Sequence, residues 1–232
     1  PVVVYTKQEE NFALTRDVLE SGYSSKTKAV IITTPSNPTG MVMTEEQLRG
    51  IADFAVEKDI IVIADEIYEK LIYSKDKKHI SIASFNQEIY DRTITVNGVS
   101  KSYAMTGWRI GYTASPLKIA KLMASMQSHM TSNPNSIAQK AALAAIAGPQ
   151  DCVEQMREQF EKRRDYIYER VAKMPYVKTI KPEGAFYLFI DFSGTYQKAY
   201  KGETLSSAAQ IGAMLLDEKL LAVVPCADFG MP

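Results

Sequence analysis

A chain of 232 residues with 46% hydrophobic and 23% charged residues has the composition of a globular protein with one large core, or one and a half modest ones. Its 27 basic and 27 acidic residues cancel, which argues against nucleic acid or an anionic membrane as the main partner. No apolar run approaches the length of a membrane span; the longest, residues 60–64, fits a strand.

Cys152 and Cys226 form no C-x-x-C pair and no disulfide framework, which points to a reducing, cytoplasmic setting. His79 and His129 have no metal-ligand spacing, so no structural metal is expected. The chain opens inside an apolar run, Val2-Val3-Val4, and closes on Phe229-Gly230-Met231-Pro232, which reads as an outgoing loop. Both ends give the expectation of a piece of a longer protein.

In chain order, residues 2–6 read as a short strand and residues 12–19 carry helical spacing. The β-branched run at 28–34 predicts a strand buried on both faces, ending in the turn cluster 35–40. Thr44 and Gln47 form a capping box, and Leu48, Ile51, Ala52 and Ala55 make the buried stripe of the helix that follows. Residues 60–64 predict the next buried strand, ending in Asp65-Glu66-Ile67-Tyr68. Another apolar run includes Ile94 and Val96, breaks at the turn pair Asn97-Gly98, and is followed by Lys101, Arg109 and a strand over 108–113.

This alternation predicts an α/β fold, a mostly parallel sheet with covering helices. Right-handed crossovers would bring the strand ends near Asn37, Asp65 and Lys101 to one edge of that sheet. From Pro116 the pattern changes. Residues 117–130, 137–147, 151–174 and 204–220 read as helices, and 177–180, 185–192 and 221–225 as strands. The stripe of the 151–174 helix is Val153, Met156, Phe160, Ile167 and Val171. A boundary near 148–151 divides a partial cofactor-binding large domain, 1–148, from a smaller, partial α+β domain, 149–232.

Ligands bind at strand ends in α/β sheets, and two cations at such ends need an explanation. A lysine placed there is a nucleophile toward carbonyls, and an arginine clamps phosphate through bidentate, charge-assisted bonds. Lys101 therefore reads as the covalent anchor of an aldehyde cofactor, and Arg109 as the holder of its phosphate. The bland reading of Arg109 is a salt bridge within the domain, and Trp108 beside it reads as core. Asp65 reads either as a turn residue or as the partner of a protonated pyridine nitrogen. The Asp-Glu strand end also resembles the metal-holding strand of P-loop ATPases, but no G-x-x-x-x-G-K-[ST] precedes it in this sequence. Tyr68 is one of 13 tyrosines and Asn37 lies in a turn, so packing and turn roles stand beside hydroxyl and amide contacts to the cofactor's phenolate oxygen.

Taken in order, Ser36-Asn37-Pro38-Thr39-Gly40, Asp65-Glu66-Ile67-Tyr68, Ser100-Lys101 and Gly107-Trp108-Arg109-Ile110-Gly111-Tyr112 form a specific set. It resembles the fold-type-I pyridoxal-phosphate enzymes, and within them the class I/II aminotransferases related to aspartate aminotransferase. The likeness continues through Thr131-Ser132-Asn133-Pro134, Pro182-Glu183-Gly184-Ala185-Phe186-Tyr187 and Val223-Val224-Pro225. The resemblance implies pyridoxal 5'-phosphate as cofactor, with the Schiff-base lysine at Lys101 and the pyridinium partner at Asp65. It puts the phenolate-oxygen contacts at Tyr68 and Asn37, the latter also a substrate contact, and the phosphate arginine at Arg109. Many relatives carry a phosphate-binding serine where this chain has Gly98, which leaves Ser100 as the hydroxyl contact. It further implies a cis Asn37–Pro38 bond, a homodimer, and amino-group transfer between an L-amino acid and a 2-oxo acid. Another reaction of the same cofactor, such as β-elimination or decarboxylation, and an aminotransferase-like ligand sensor stay open beside it.

Overall fold

The computed structural model describes residues 1–74 and 76–229. The reading of the chain's last residues as an outgoing loop falls partly on 230–232, outside the described residues. Thr15 caps the first helix, α1 (Arg16–Gly22), through its side chain, so the helix begins later than the spacing of 12–19 predicts. Strand β1 (Ala29–Thr33) follows, then α2 (Glu45–Glu57), whose capping box between Thr44 and Gln47 has both bonds in place. Next come β2 (Ile61–Asp65), the single-turn α3 (Gln87–Tyr90), β3 (Thr93–Gly98) and β4 (Gly111–Ala114).

These four strands form one sheet in the order β1-β2-β3-β4. The first three are parallel, with Thr33 opposite Asp65 and Asp65 opposite Val96; β4 returns antiparallel to β3. The sheet is therefore mostly parallel. Leu48, Ile51, Ala52, Phe54 and Ala55 of α2 pack with Leu19 of α1 and with Ile32, Val62 and Ala64 of the sheet as the main core. The stripe expected for α2 is buried, with Phe54 added to it.

Several expectations are corrected. Residues 2–6 form no strand, because no strand among the described residues pairs with them; Val2 and Val3 are exposed. Strand β1 is buried on one face only: it is an edge strand, and Ile31 on the other face is 71% exposed. Asn97 and Gly98 form no turn; they pair with Tyr112 and Gly111 as the last rungs of the β3–β4 ladder. The second strand starts at Gly111, since a short 3-10 turn occupies Thr106–Trp108, and Trp108 is exposed rather than core.

The remainder holds α4 (Leu117–Met130), α5 (Ser136–Ala147) and the long α6 (Asp151–Val171), then β5 (Lys178–Thr179) and β6 (Ile190–Asp191), an antiparallel pair shorter than predicted. A small hairpin of β7 (Ala199–Tyr200) and β8 (Glu203–Thr204) precedes α7 (Ala208–Lys219). Residues 221–225 form no strand and Ile167 is exposed, because no partner element covers either among the described residues. Helix α4 buries none of its residues and turns Leu122 and Met126 outward; α5 does the same with Ile137 and Leu143. No helix among the described residues is long and apolar enough to cross a membrane.

A second packing centre joins the chain's two halves. Tyr68, Leu71 and Ala185 are buried together against Met156, Phe160 and Tyr187. Backbone bonds tie the 182–185 turn to this region: Ala185 N–H donates to Leu71 O at 2.9 Å and Gly184 N–H to Gly40 O at 2.8 Å. Tyr73 donates its hydroxyl to the Ala185 carbonyl. Gly184 allows the close approach, because a Cβ there would meet Leu71 O at 2.8 Å.

Burial pushes the hydroxyls of Tyr68 and Tyr73 well above the ordinary tyrosine value of 10.0. Above that value the unfolded chain gives up both protons while the folded chain keeps them. Stability is therefore full below about pH 10 and falls as the pH rises toward the folded values. The urea midpoint is expected to drop between about pH 9 and pH 11, and to drop less in Tyr73→Phe. An equal drop in that variant would contradict the assignment.

Candidate active site

The parallel register places three strand ends side by side. Thr33, Asp65 and Val96 are in line across β1, β2 and β3, and the chain leaves each strand toward the same sheet edge. Beyond β1 comes Asn37, beyond β2 the turn to Tyr68, and beyond β3 Ser100 and Lys101. This is the edge at which open parallel sheets bind ligands.

Asn37 is exposed on the turn between two cis prolyl bonds, Thr34–Pro35 and Asn37–Pro38; the second is the one the resemblance implies. Asp65 is half-buried and its Oδ1 accepts a 3.0 Å bond from Ile67 N–H, which turns the chain so that Tyr68 enters the interior. Tyr68 is almost fully buried and its hydroxyl shares a hydrogen bond with that of Tyr187. Burial, then the Tyr187 bond, then the Asp65 charge all hold Tyr68 in its protonated form. It is thus a standing O–H donor at any working pH.

Lys101 is half-buried at the start of the turn after β3. Its Nζ lies 5.8 Å from the centre of the Tyr68 ring and 5.6 Å from that of Phe186. Two aromatic faces make a modest cation site. The 182–187 motif gives Phe186 and Tyr187 no role by its sequence; the fold makes them the walls that unite the site. Phe186 meets Tyr68 edge-on at 5.3 Å and stacks on Phe160 at 5.2 Å. Asn37 and Pro38 share an apolar cavity of about 300 Å³ with Phe186, Tyr187, Phe192 and Ile211. Asn37, Tyr68 and Lys101 thus converge through two aromatic residues from a distant segment.

Arg109 lies just beyond the Gly98–Gly111 rung, at the same sheet end as Ser100. It takes a left-handed backbone conformation and donates from its guanidinium to the Thr106 carbonyl at 2.9 Å. Among the described residues it makes no ion pair and no bond to Lys101 or Asp65, so a salt bridge within the domain is not its role here. Gly98 sits tightly: a Cβ there would lie 2.9 Å from Ile110 O and 3.2 Å from Ile67 Cδ1. Half-buried Ser100 directly precedes Lys101 in the chain.

The charges have an unusual balance. Elsewhere arginines are heavily paired, as Arg157 is with Glu154 and Glu161, and Arg164 with Glu161 and Asp165. Among the described residues Asp65, Lys101 and Arg109 have no oppositely charged partner, although all three lie at one sheet edge. A carboxylate, an amine and a guanidinium left uncommitted suit a ligand with a basic ring nitrogen, a carbonyl and an anionic group.

A mostly parallel sheet with charged side chains gathered beyond its strand ends defines an α/β protein of the kind that binds a ligand at that end. The chain belongs to the family Aminotransferase class I and II, matched over residues 1–232. It is 46% identical over 232 residues to an aspartate aminotransferase of Bacillus sp. (strain YM-2), covering 100% of this chain and 58% of that one. It is 45% identical over 234 residues to a probable aspartate/prephenate aminotransferase of Aquifex aeolicus, with the same shares. Among solved structures, an aromatic aminotransferase from Pyrococcus horikoshii superposes with a TM-score of 0.92 at 41% identity, covering 100% of this chain and 59% of that one. An aspartate aminotransferase from Rhizobium meliloti gives 0.95 at 35%, with 100% and 58% covered. The chain thus spans 58% of the length of these curated relatives.

Proposed function

We propose that this chain carries the cofactor-anchoring part of a pyridoxal-phosphate-dependent aminotransferase that moves an amino group between an L-amino acid and a 2-oxo acid. The observation that carries the reading is the set of uncommitted charges, Asp65, Lys101 and Arg109, at one edge of a parallel sheet. The residues present fit the group. Lys101 Nζ would hold its aldehyde carbon and Asp65 its ring nitrogen. Tyr68 and Asn37 would donate to its phenolate oxygen, and Arg109 with Ser100 would hold its phosphate.

When bound, the cofactor supplies an electron-withdrawing ring that acidifies the α-hydrogen of an attached amino acid. The chain's own residues do the rest. Asp65 would keep positive charge on the ring nitrogen. Tyr68, held protonated by burial, stays a donor. Lys101 Nζ would be the base that takes the α-proton and returns it. Asn37 sits at the mouth of the apolar cavity, where a substrate contact is expected.

The relatives' names differ in substrate, so the proposal takes their shared part, transfer of an amino group. Residues 1–148 act in it as part of the large domain and 149–232 as part of the smaller one. A homodimer goes with it; the outward apolar residues of α4 and α5 support a covered face there. A reducing cytoplasmic setting fits the two free cysteines.

The test is a half-reaction in the full-length protein. With pyridoxal phosphate bound, adding an L-amino acid alone is expected to convert the visible cofactor band and release one equivalent of 2-oxo acid. Binding without release would favour the sensor reading, and release of ammonia or carbon dioxide would favour a lyase.

A further inference from the structure

The fold assembles a polar cluster outside the active site that spacing alone does not announce. Glu66 follows Asp65 at the end of β2, and its N–H extends the ladder to Val96 O at 2.9 Å. That fixed backbone sends its side chain inward, where it is only 4% exposed. The next turn folds back, Glu69 N–H donating to Glu66 O at 2.9 Å. His79 returns to the same place, its Nε2 2.9 Å from Glu66 Oε2. One ligand atom from each of Glu66, Glu69 and His79 lies within 4.8 Å of the others.

The cluster is short of positive charge. Glu66 touches no lysine or arginine among the described residues, and its Oε1 is buried without any hydrogen-bond partner. Among the described residues Glu69 has only Lys70, at 3.8 Å and half in solvent. A buried carboxylate with one oxygen unsatisfied is costly. A dication would offset both carboxylate charges and give the unpartnered Glu66 Oε1 a partner.

We propose that Glu66, Glu69 and His79 bind one divalent transition-metal cation of the zinc class. The donor set selects the class: one imidazole nitrogen and two carboxylates suit zinc, while calcium and magnesium take oxygen ligands. Two donors each about 2.0–2.1 Å from a tetrahedral ion stand about 3.4 Å apart. His79 Nε2 and Glu66 Oε2, hydrogen-bonded at 2.9 Å, need part by only about half an ångström to seat such an ion. Bound there, it clamps the loop from Glu66 to His79, which begins beside Asp65 and contains Tyr68. This site stands apart from the aminotransferase reading and does not depend on it. Histidine spacing alone predicts no structural metal; the fold joins residues that the spacing keeps apart.

The test is titration of the chelator-treated, desalted chain with Co²⁺, followed by competition with Zn²⁺. One Co²⁺ per chain is expected, with visible ligand-field bands that Zn²⁺ displaces. His79→Gln and Glu66→Gln are expected to weaken binding by more than about 100-fold, and Glu69→Gln by about 10-fold. Should Glu66→Gln fail to fold, His79→Gln and Glu69→Gln decide. Cys152→Ser, which removes the exposed thiol, is expected to leave binding unchanged. No saturable binding by the wild-type chain, binding that survives in His79→Gln and Glu69→Gln alike, or binding lost in Cys152→Ser would each overturn the proposal.

Discussion

Lys101→Ala in the full-length protein is expected to lower transamination by about 10⁴-fold and to abolish the covalent cofactor linkage. Two roles end at once. The alanine offers no amine to the aldehyde carbon, and no base remains for the α-proton; positioned acid–base catalysis alone contributes up to about 10⁴-fold. Its side-chain neighbours do not replace it: among the described residues Nζ faces the rings of Tyr68 and Phe186, which are not bases. The fold is expected to survive, because the Lys101 side chain makes no hydrogen bond or ion pair among the described residues and the residue is only half-buried. Steady-state kinetics with a thermal unfolding control checks both parts. Activity within about 10-fold of wild type would show that Lys101 is not the anchor.

Asp65→Asn is expected to have the next largest effect. Opposite charges about 4 Å apart, at an effective dielectric of about 20, attract by roughly 4 kcal/mol. For the ring nitrogen that is roughly 3 pKa units, or a factor of about 10³ in the protonated fraction. The amide keeps the shape and can still accept the Ile67 N–H bond, so the turn to Tyr68 is expected to persist. The loss therefore belongs in turnover rather than in folding. Single-turnover reaction with an amino acid, read as decay of the cofactor band, measures it. A loss of less than about 10-fold would mean that the Asp65 charge does not act on the ring.

Much of the fold follows from local chemistry that the sequence displays. Thr44 and Gln47 close a box whose bonds lie within one turn, so the start of α2 needs no tertiary information. The β-branched runs at β1 and β2 mark strands that parallel pairing then aligns, which puts Asn37, Asp65 and Lys101 at one edge. What depends on a distant neighbour was not legible. Asn97 and Gly98 look like a turn but become ladder rungs because β4 supplies partners. Residues 2–6 and 221–225 have strand composition, yet no strand among the described residues pairs with them. Ile31 looks like core, yet β1 is an edge strand with one bare face.

The candidate site divides in the same way. Its charged residues announced themselves by type and by position after strands. Its walls did not: Tyr187 reaches Tyr68 across a separation of 119 positions, and Phe186 reaches Lys101 from the same segment. Nothing periodic in the sequence links those segments; the Gly40–Gly184 and Leu71–Ala185 backbone bonds do. The Glu66–His79 pair shares this property, being formed by a loop that returns after an irregular path.

The central claim is that Lys101 anchors an aldehyde cofactor at this sheet edge. Its most direct test is borohydride reduction of the full-length protein with pyridoxal phosphate, followed by peptide mass mapping. The account predicts one stable phosphopyridoxyl adduct per chain, on the peptide containing Lys101 and absent in Lys101→Ala. An adduct on another lysine, or none in a folded full-length protein, would contradict it.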